Sequence, residues 1–183
     1  MVIRNEARII LGDDISASIE QSIVKLKGPK GEICKKLLNP RIFIGFENGQ
    51  IVIRFVEKRF IKADKMFMNT YVAHIKNMID GVRNGYVYKL KICSGHFPMN
   101  VTIEKGFVLI KNFLGEKVPR KAKIIEGVAV NIDEELITVS GINLEDVAQT
   151  AARIEQATRI TKRDKRIFQD GCYIIEKAGK ALI

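Results

Sequence analysis

VKLKGPKGE, residues 24–32, returns as VLIKNFLGE, residues 108–116, and the offset of 84 residues divides the chain into two similar halves. Ile23, Lys25 and Lys27 alternate with Val24 and Leu26, the period of two expected of a strand with one face buried. Gly28-Pro29-Lys30-Gly31 supplies turn residues, with Pro29 where a turn wants φ of about −65°. A hairpin is therefore predicted, and in the second copy the same four-residue turn is predicted to end at Gly115-Glu116. Gly28, Gly31 and Gly115 are the expected turn glycines.

Downstream, IVIRF (51–55) and LITVS (136–140) are β-branched strand sequences, entered through turns at Asn48-Gly49 and Asp133-Glu134-Glu135. A helical pattern follows each. Ala63, Phe67, Tyr71, Ile75, Met78 and Val82 recur at three- or four-residue steps. Lys62, Lys65, Asn69, Lys76 and Arg83 occupy the other face, and Asn84-Gly85 ends the helix. In the second half Asn143 is placed to cap a helix, with Glu145 and Asp146 in its first turn. Leu144, Val147, Ala148, Ala151 and Ile154 form its apolar stripe. The fold class is α+β, two tandem copies of a small antiparallel-sheet-plus-helix domain produced by internal duplication. The expected domains are residues 1–85 and 86–183, with GYVYKLKICSGHFP (85–98) as a shared strand and linker and a basic segment at the C-terminal end.

Hydrophobic residues make up 46% of the 183, enough for a buried core. Lys and Arg number 31 against 21 Asp and Glu, a formal +10, so the surface attracts polyanions. No apolar run approaches the roughly 20 residues that cross a bilayer. The opening MVIRNEARIILGDD has no apolar signal core, and a cytosolic chain without a membrane partner is expected. Cys34, Cys93 and Cys172 are odd in number and far apart, which points to reduced, buried thiols rather than a disulfide framework.

Catalytic patterns are weak. His74 lies beside the first helical stripe and His96 in the linker, neither with an evident partner. Cys93 and His96 have half the spacing of a zinc site, but no second pair follows. The glycine-rich turns match neither phosphate-cradling pattern. Asp13-Asp14 and Asp133-Glu134-Glu135 are turn-like, solvated carboxylates. Lysine nucleophiles depend on burial that spacing does not reveal. No catalytic residue, metal, cofactor or small-molecule substrate is therefore assigned.

Cations are arranged more suggestively. Lys117, Arg120, Lys121 and Lys123 follow the second hairpin turn. Arg159, Lys162, Arg163, Lys165 and Arg166 follow the second helix. Residues 1–96 hold 17 cations and 9 anions (net +8) and residues 97–183 hold 14 and 12 (net +2), so segregation matters more than the sum. Asp133–Glu135 and Glu145–Asp146 stand away from the cations in sequence, which predicts a two-sided unit with one side toward phosphate. Isolated cations such as Lys58-Arg59 read as solvated surface. Trp is absent and most Phe and Tyr fall at core positions, so folded RNA fits better than a general single strand. Tyr173 is the one aromatic placed to take part, and its alternation with Cys172 and Ile174 fits a half-buried strand residue equally well.

QATRITKRDKRIFQDGCYIIEK, residues 156–177, fits Q-x3-aliphatic-x2-[KR]-x2-R-x-F-x-D-G-aliphatic-Y-aliphatic-x2-[KR] at every fixed position except Cys172, where a small hydrophobe replaces an aliphatic residue. This resembles the C-terminal pattern of the large-subunit ribosomal protein family called L-six in bacteria and L-nine in eukaryotes. YKLKICSGHFPMNV (88–101) and NFLGEKVPR (112–120) are similar to its eukaryotic and archaeal branch, and the likeness runs from about Leu11 to Lys177.

The resemblance implies a structural, non-catalytic protein of the cytosolic large subunit, bound to ribosomal RNA near the sarcin-ricin loop. It also implies neighbouring ribosomal proteins, including those of the stalk base. Arg163, Arg166, Asp170, Gly171, Tyr173 and Lys177 match the pattern. Phosphate contact is expected of the cations, a turn of Asp170-Gly171 and support of the last strand of Tyr173. Rival readings are an extraribosomal RNA-binding or chaperone module of the same fold, and an enzyme with a cryptic lysine or cysteine site.

Overall fold

The computed structural model describes residues 2–3, 6–12, 14–20, 22–47, 49–56 and 62–182. Asp13, Asn48, Lys58 and Arg59 lie outside the described residues. The chain packs as two units, residues 1–85 and 86–183, and every strand pairing within them is antiparallel.

The first unit contains β1 (Val2–Ile3), β2 (Glu6–Ile10), β3 (Ser16–Glu20), β4 (Ile23–Gly28), β5 (Gly31–Lys36), β6 (Ile42–Glu47), β7 (Gln50–Phe55) and α1 (Lys62–Asn84). They form a four-stranded sheet in the order β1-β2-β7-β6 and a three-stranded sheet β3-β4-β5. Helix α1 packs on β2, β4, β5 and β7. Val24, Leu26, Ile51, Ile53, Met68 and Ile75 are sealed from solvent in its core. The β4–β5 hairpin closes through Pro29 and Lys30, with Gly28 opposite Gly31. Gly28 is needed for closeness rather than for the turn: a Cβ there would lie 3.0 Å from the Val82 carbonyl oxygen. The Lys30 N–H donates to that same oxygen at 2.9 Å and ties the hairpin to the end of α1.

Helix α1 buries the expected face from Tyr71 onward, through Ile75, Met78 and Val82, and departs from the sequence reading only in its first two turns. Ala63 and Phe67 are exposed, and the buried stripe runs Asp64, Met68, Tyr71, Ile75, Met78, Ile79 and Val82. An acid is not a usual core residue, yet Asp64 faces inward because Arg41 donates to its carboxylate at 3.0 Å.

The second unit contains β8 (Tyr86–Cys93), β9 (Asn100–Glu104), β10 (Phe107–Lys111), a short 3-10 turn (Phe113–Gly115), β11 (Arg120–Lys123), β12 (Val128–Asp133), β13 (Leu136–Gly141), α2 (Leu144–Ala157), β14 (Gly171–Lys177) and β15 (Lys180–Ala181). Its sheets run β12-β13-β8-β14-β15 and β11-β10-β9. The stretch expected to be shared between the copies is thus the central strand of this unit's own sheet, paired with β13 on one side and β14 on the other. Its eight residues bury Tyr88, Leu90 and Ile92 in the second core, where a linker would stay wet.

Helix α2 begins as expected. The Asn143 side chain accepts from the Glu145 N–H, and Val147, Thr150, Ala151 and Ile154 are buried, with Leu144 and Ala148 at the flank. The β12–β13 turn is two residues, Glu134 and Glu135, between paired Asp133 and Leu136.

The second hairpin departs from the first. Ile110 pairs with Arg120, so residues 112–119 form a wide loop instead of a four-residue turn. The cause is Phe113, which stands where the first copy has Pro29 and drives its ring into the core at 1% exposure. Left-handed backbone at Asn112, Leu114 and Gly115 (φ 59°, 50° and 79°) carries the chain around that anchor. Among the cysteines, Cys172 is buried and Cys93 half-buried, but Cys34 is exposed on the outward face of β5, contrary to the buried thiol expected. Burial pushes the Cys172 thiol up to about 12. No described helix is long and apolar enough to cross a membrane.

Candidate nucleic-acid interface

The basic segment 159–166 leaves α2 and returns to β14, and side chains of the helix's last turn hold the strand that receives it. The border of β14 beside Cys172 and Ile174 has no neighbouring strand, since β15 pairs only with Glu176 and Lys177. Cys172 N–H donates to Thr158 Oγ1 at 2.9 Å and Ile174 N–H to Glu155 Oε1 at 3.1 Å. These two side chains do what a missing strand would do, as buried amides require. Thr158 Oγ1 in turn donates to the Glu155 carbonyl at 3.0 Å, fixing it against the helix end.

Further anchors pin the loop. Ile160 is buried and Phe168 packs on the core. The Arg163 guanidinium lies over the Phe168 ring at 4.9 Å, and the His96 ring packs on Phe168 with centroids 4.8 Å apart and planes tilted by 32°. Asp170, 2% exposed, accepts from the Gly95 and His96 N–H groups and from His96 Nδ1 at 2.5, 3.0 and 2.8 Å. Burial alone would raise the Asp170 carboxyl. The His96 backbone and ring and the Gly95 N–H outweigh it and hold the group below the ordinary aspartate value. His96 thus has a partner that spacing did not show, 74 residues away, and His74 has another in Lys35 Nζ at 3.1 Å.

The two basic segments meet at Arg120. Its guanidinium clasps Glu116 at 2.6 and 2.8 Å and donates to the Ala157 and Arg159 carbonyls at 2.9 and 3.2 Å, lying 4.2 Å over the Phe113 ring. Arg120 is a brace, with most of its donors committed to the fold. Its hydrogen bonds hold the Glu116 carboxyl low against the effect of burial, and the charges of Arg120 and Arg163 add to the lowering.

Lys121 and Lys123 project from the opposite face of β11 to Arg120 and the buried Ala122, by strand alternation. Lys117, Lys121, Lys123, Arg159, Lys162 and Lys165 are exposed or nearly so. No described residue forms an ion pair with their side chains. Arg166 is exposed too, but its guanidinium holds Asp164 at 2.8 Å, which depresses the Asp164 carboxyl and raises the arginine.

The separation of charge expected from sequence is therefore incomplete. Glu116 and Asp164 stand inside the basic segments, where short-range pairing positions arginines. Glu135 lines a cavity of about 370 Å³ together with Lys91, His96, Gln169 and Asp170, on the same side as the loop's end. Lys177 is not brought to the cluster, since it ends β14 about 20 Å along the strand from Gly171. Tyr173 is 40% exposed. Glu155 and Thr158 were missed because a helix-to-strand bond has no periodic signature, whereas the four-residue spacing of Glu116 and Arg120 was open to notice. Among the described residues no group of three or more His, Cys, Asp or Glu could hold a metal.

The chain is similar throughout to known proteins. The family described as ribosomal protein L6 matches residues 11–85 and 97–171, once in each unit. The large ribosomal subunit protein uL6 of Methanococcus vannielii is 48% identical over 182 residues, covering 99% of this chain and 97% of its own. The protein of the same description from Methanosarcina mazei is 43% identical over 178 residues, covering 97% and 100%.

Proposed function

The chain belongs to the ribosomal protein L6 family, a family of large-subunit proteins that are not enzymes, and from that membership we propose that it binds large-subunit ribosomal RNA through its second unit, near the sarcin-ricin loop and the stalk base. It acts as a structural part of the ribosome, among neighbouring ribosomal proteins. One observation carries this reading: the Arg120 brace joins two basic segments and leaves Lys117, Lys121, Lys123, Arg159, Lys162 and Lys165 exposed without ion pairs from described residues.

Cations in this state neutralise phosphates and release their counterions, giving affinity that falls steeply with salt. Because the loop that bears Arg159, Lys162 and Lys165 is anchored through Thr158, Ile160, Phe168 and Asp170, little order remains to be imposed there on binding. Arg163 and Arg166 belong to the same surface, and Arg120 serves it by position.

Sucrose-gradient sedimentation of a cell lysate tests the assignment. The protein is expected to travel with large subunits, and recovery only from light fractions would overturn it. Chemical footprints on the large-subunit RNA test the finer placement: protection is expected at the sarcin-ricin loop and stalk base. Protection of arbitrary duplex RNA with no regional preference would favour an extraribosomal RNA-binding role.

A further inference from the structure

Beside Tyr173 a cleft of about 240 Å³ opens between the end of α2 and β14, lined by Glu155, Thr158, Arg159, Ile160, Lys165 and Tyr173 among others. It is smaller than the roughly 300–1,000 Å³ that encloses a drug-sized molecule, so it suits a single planar ring rather than a whole cofactor. Resting on the ribosomal RNA reading above, we propose that this cleft receives one unpaired nucleotide, its base stacked on Tyr173 and its flanking phosphates on Arg159 and Lys165.

The aromatic wall is rigid as well as exposed. Tyr173 Oη donates to the Asp170 carbonyl at 3.4 Å, and its ring rests so close to Gly171 (φ 155°) that an added Cβ would meet it at 3.2 Å. A ring held in this way gives a base a stacking surface at little ordering cost. Ile160, 5% exposed, supplies apolar contact. Arg159 and Lys165 bring positive charge to a cleft whose lining is otherwise largely apolar, the combination a nucleotide presents in reverse.

Specificity follows from the acceptors. Thr158 Oγ1 is occupied by the Glu155 carbonyl and the Cys172 N–H. Glu155, which lines the cleft, uses Oε1 to accept from Ile174 at 3.1 Å, which fixes the carboxylate while its second oxygen makes no hydrogen bond to a described residue. A carboxylate accepts from exocyclic amino groups, so the cleft suits adenine, cytosine or guanine.

Footprinting of the full chain on deproteinised large-subunit RNA distinguishes this proposal from the broader one. Hydroxyl radicals read the backbone, dimethyl sulfate reads unpaired adenine and cytosine, and kethoxal reads unpaired guanine. We expect at least one unpaired base beside the protected backbone to be shielded by the native protein and by Tyr173→Phe, and to become reactive with Tyr173→Leu. Affinity should fall about tenfold with the leucine variant, the scale of one lost base stack.

A backbone footprint without any base whose reactivity depends on Tyr173 would overturn the cleft and leave RNA binding standing. The absence of any backbone footprint would overturn both. If Tyr173→Leu itself leaves no footprint, Lys165→Glu decides: its exposed side chain can be reversed without touching the core. That variant should expose the same base as well as lower the affinity, and an unchanged base pattern would count against the cleft.

Discussion

Asp170 shows how much one side chain can organise here. Its carboxylate gathers donors from Gly95 and His96 into a single buried node, and so fixes the entry to β14 against the end of β8. Asp170→Asn would strip that node of its charge and is expected to cost about 1.5–3 kcal/mol, the range for hydrogen bonds to an ionised group, measured by urea unfolding at pH 7. Because the folded pKa lies below the unfolded value of about 3.9, the carboxylate's contribution is complete above that pH and is lost as pH falls through the folded pKa. The stability gap between the native and Asn proteins should therefore close below about pH 4. Nothing local in the sequence joins residue 96 to residue 170. The turn expected at Asp170-Gly171 is not there: the chain turns at residues 165–167, and Gly171 opens β14 opposite Cys93, so Asp170 serves as a buried acceptor whose donors come from a distant strand end.

At the scale of elements, α2 and β14 are joined by side chains acting as backbone partners. Thr158→Val keeps the shape and removes the acceptor of the buried Cys172 N–H, at a cost of about 1–3 kcal/mol. Loss of hydrogen-exchange protection at the Cys172 amide, with α1 unaffected, is the expected signature. Sequence reading recovered the duplicated α+β design because Val24 and Leu26, like Val108 and Ile110, alternate with polar or half-buried neighbours on strands of similar length. It missed the start of α1, where Asp64 and Met68 face the core in place of Ala63 and Phe67, Asp64 being buried through an arginine 23 residues away. It also misjudged the second hairpin, where one buried ring at Phe113 enlarges a turn that residue similarity had equated with Gly28–Gly31. For the candidate interface, residue type and spacing exposed the basic segments. Which arginines are committed to Glu116 or Asp164 depends on geometry that spacing alone leaves open.

At the scale of the whole chain, formal charge and available charge diverge. Residues 1–96 carry the larger net charge, yet Arg8, Arg41, Arg54 and Arg83 are engaged by Glu6, Asp64, Glu6 with Glu47, and Asp14. Hydrogen bonds from Arg83 hold the Asp14 carboxyl low. Replacing Lys121 and Lys162 by glutamate should therefore reduce the slope of log affinity against log salt by about one for each lysine. Arg83→Ala should leave that slope unchanged and register instead as a lower melting temperature. A slope equally altered by Arg83→Ala would place phosphate on the first unit as well. Finally, the β14 border closed by Glu155 and Thr158 offers no open amides to a second copy's strand along that stretch. Before assembly into the large subunit, the newly made protein is guarded along that stretch against the edge-to-edge stacking that seeds fibrils.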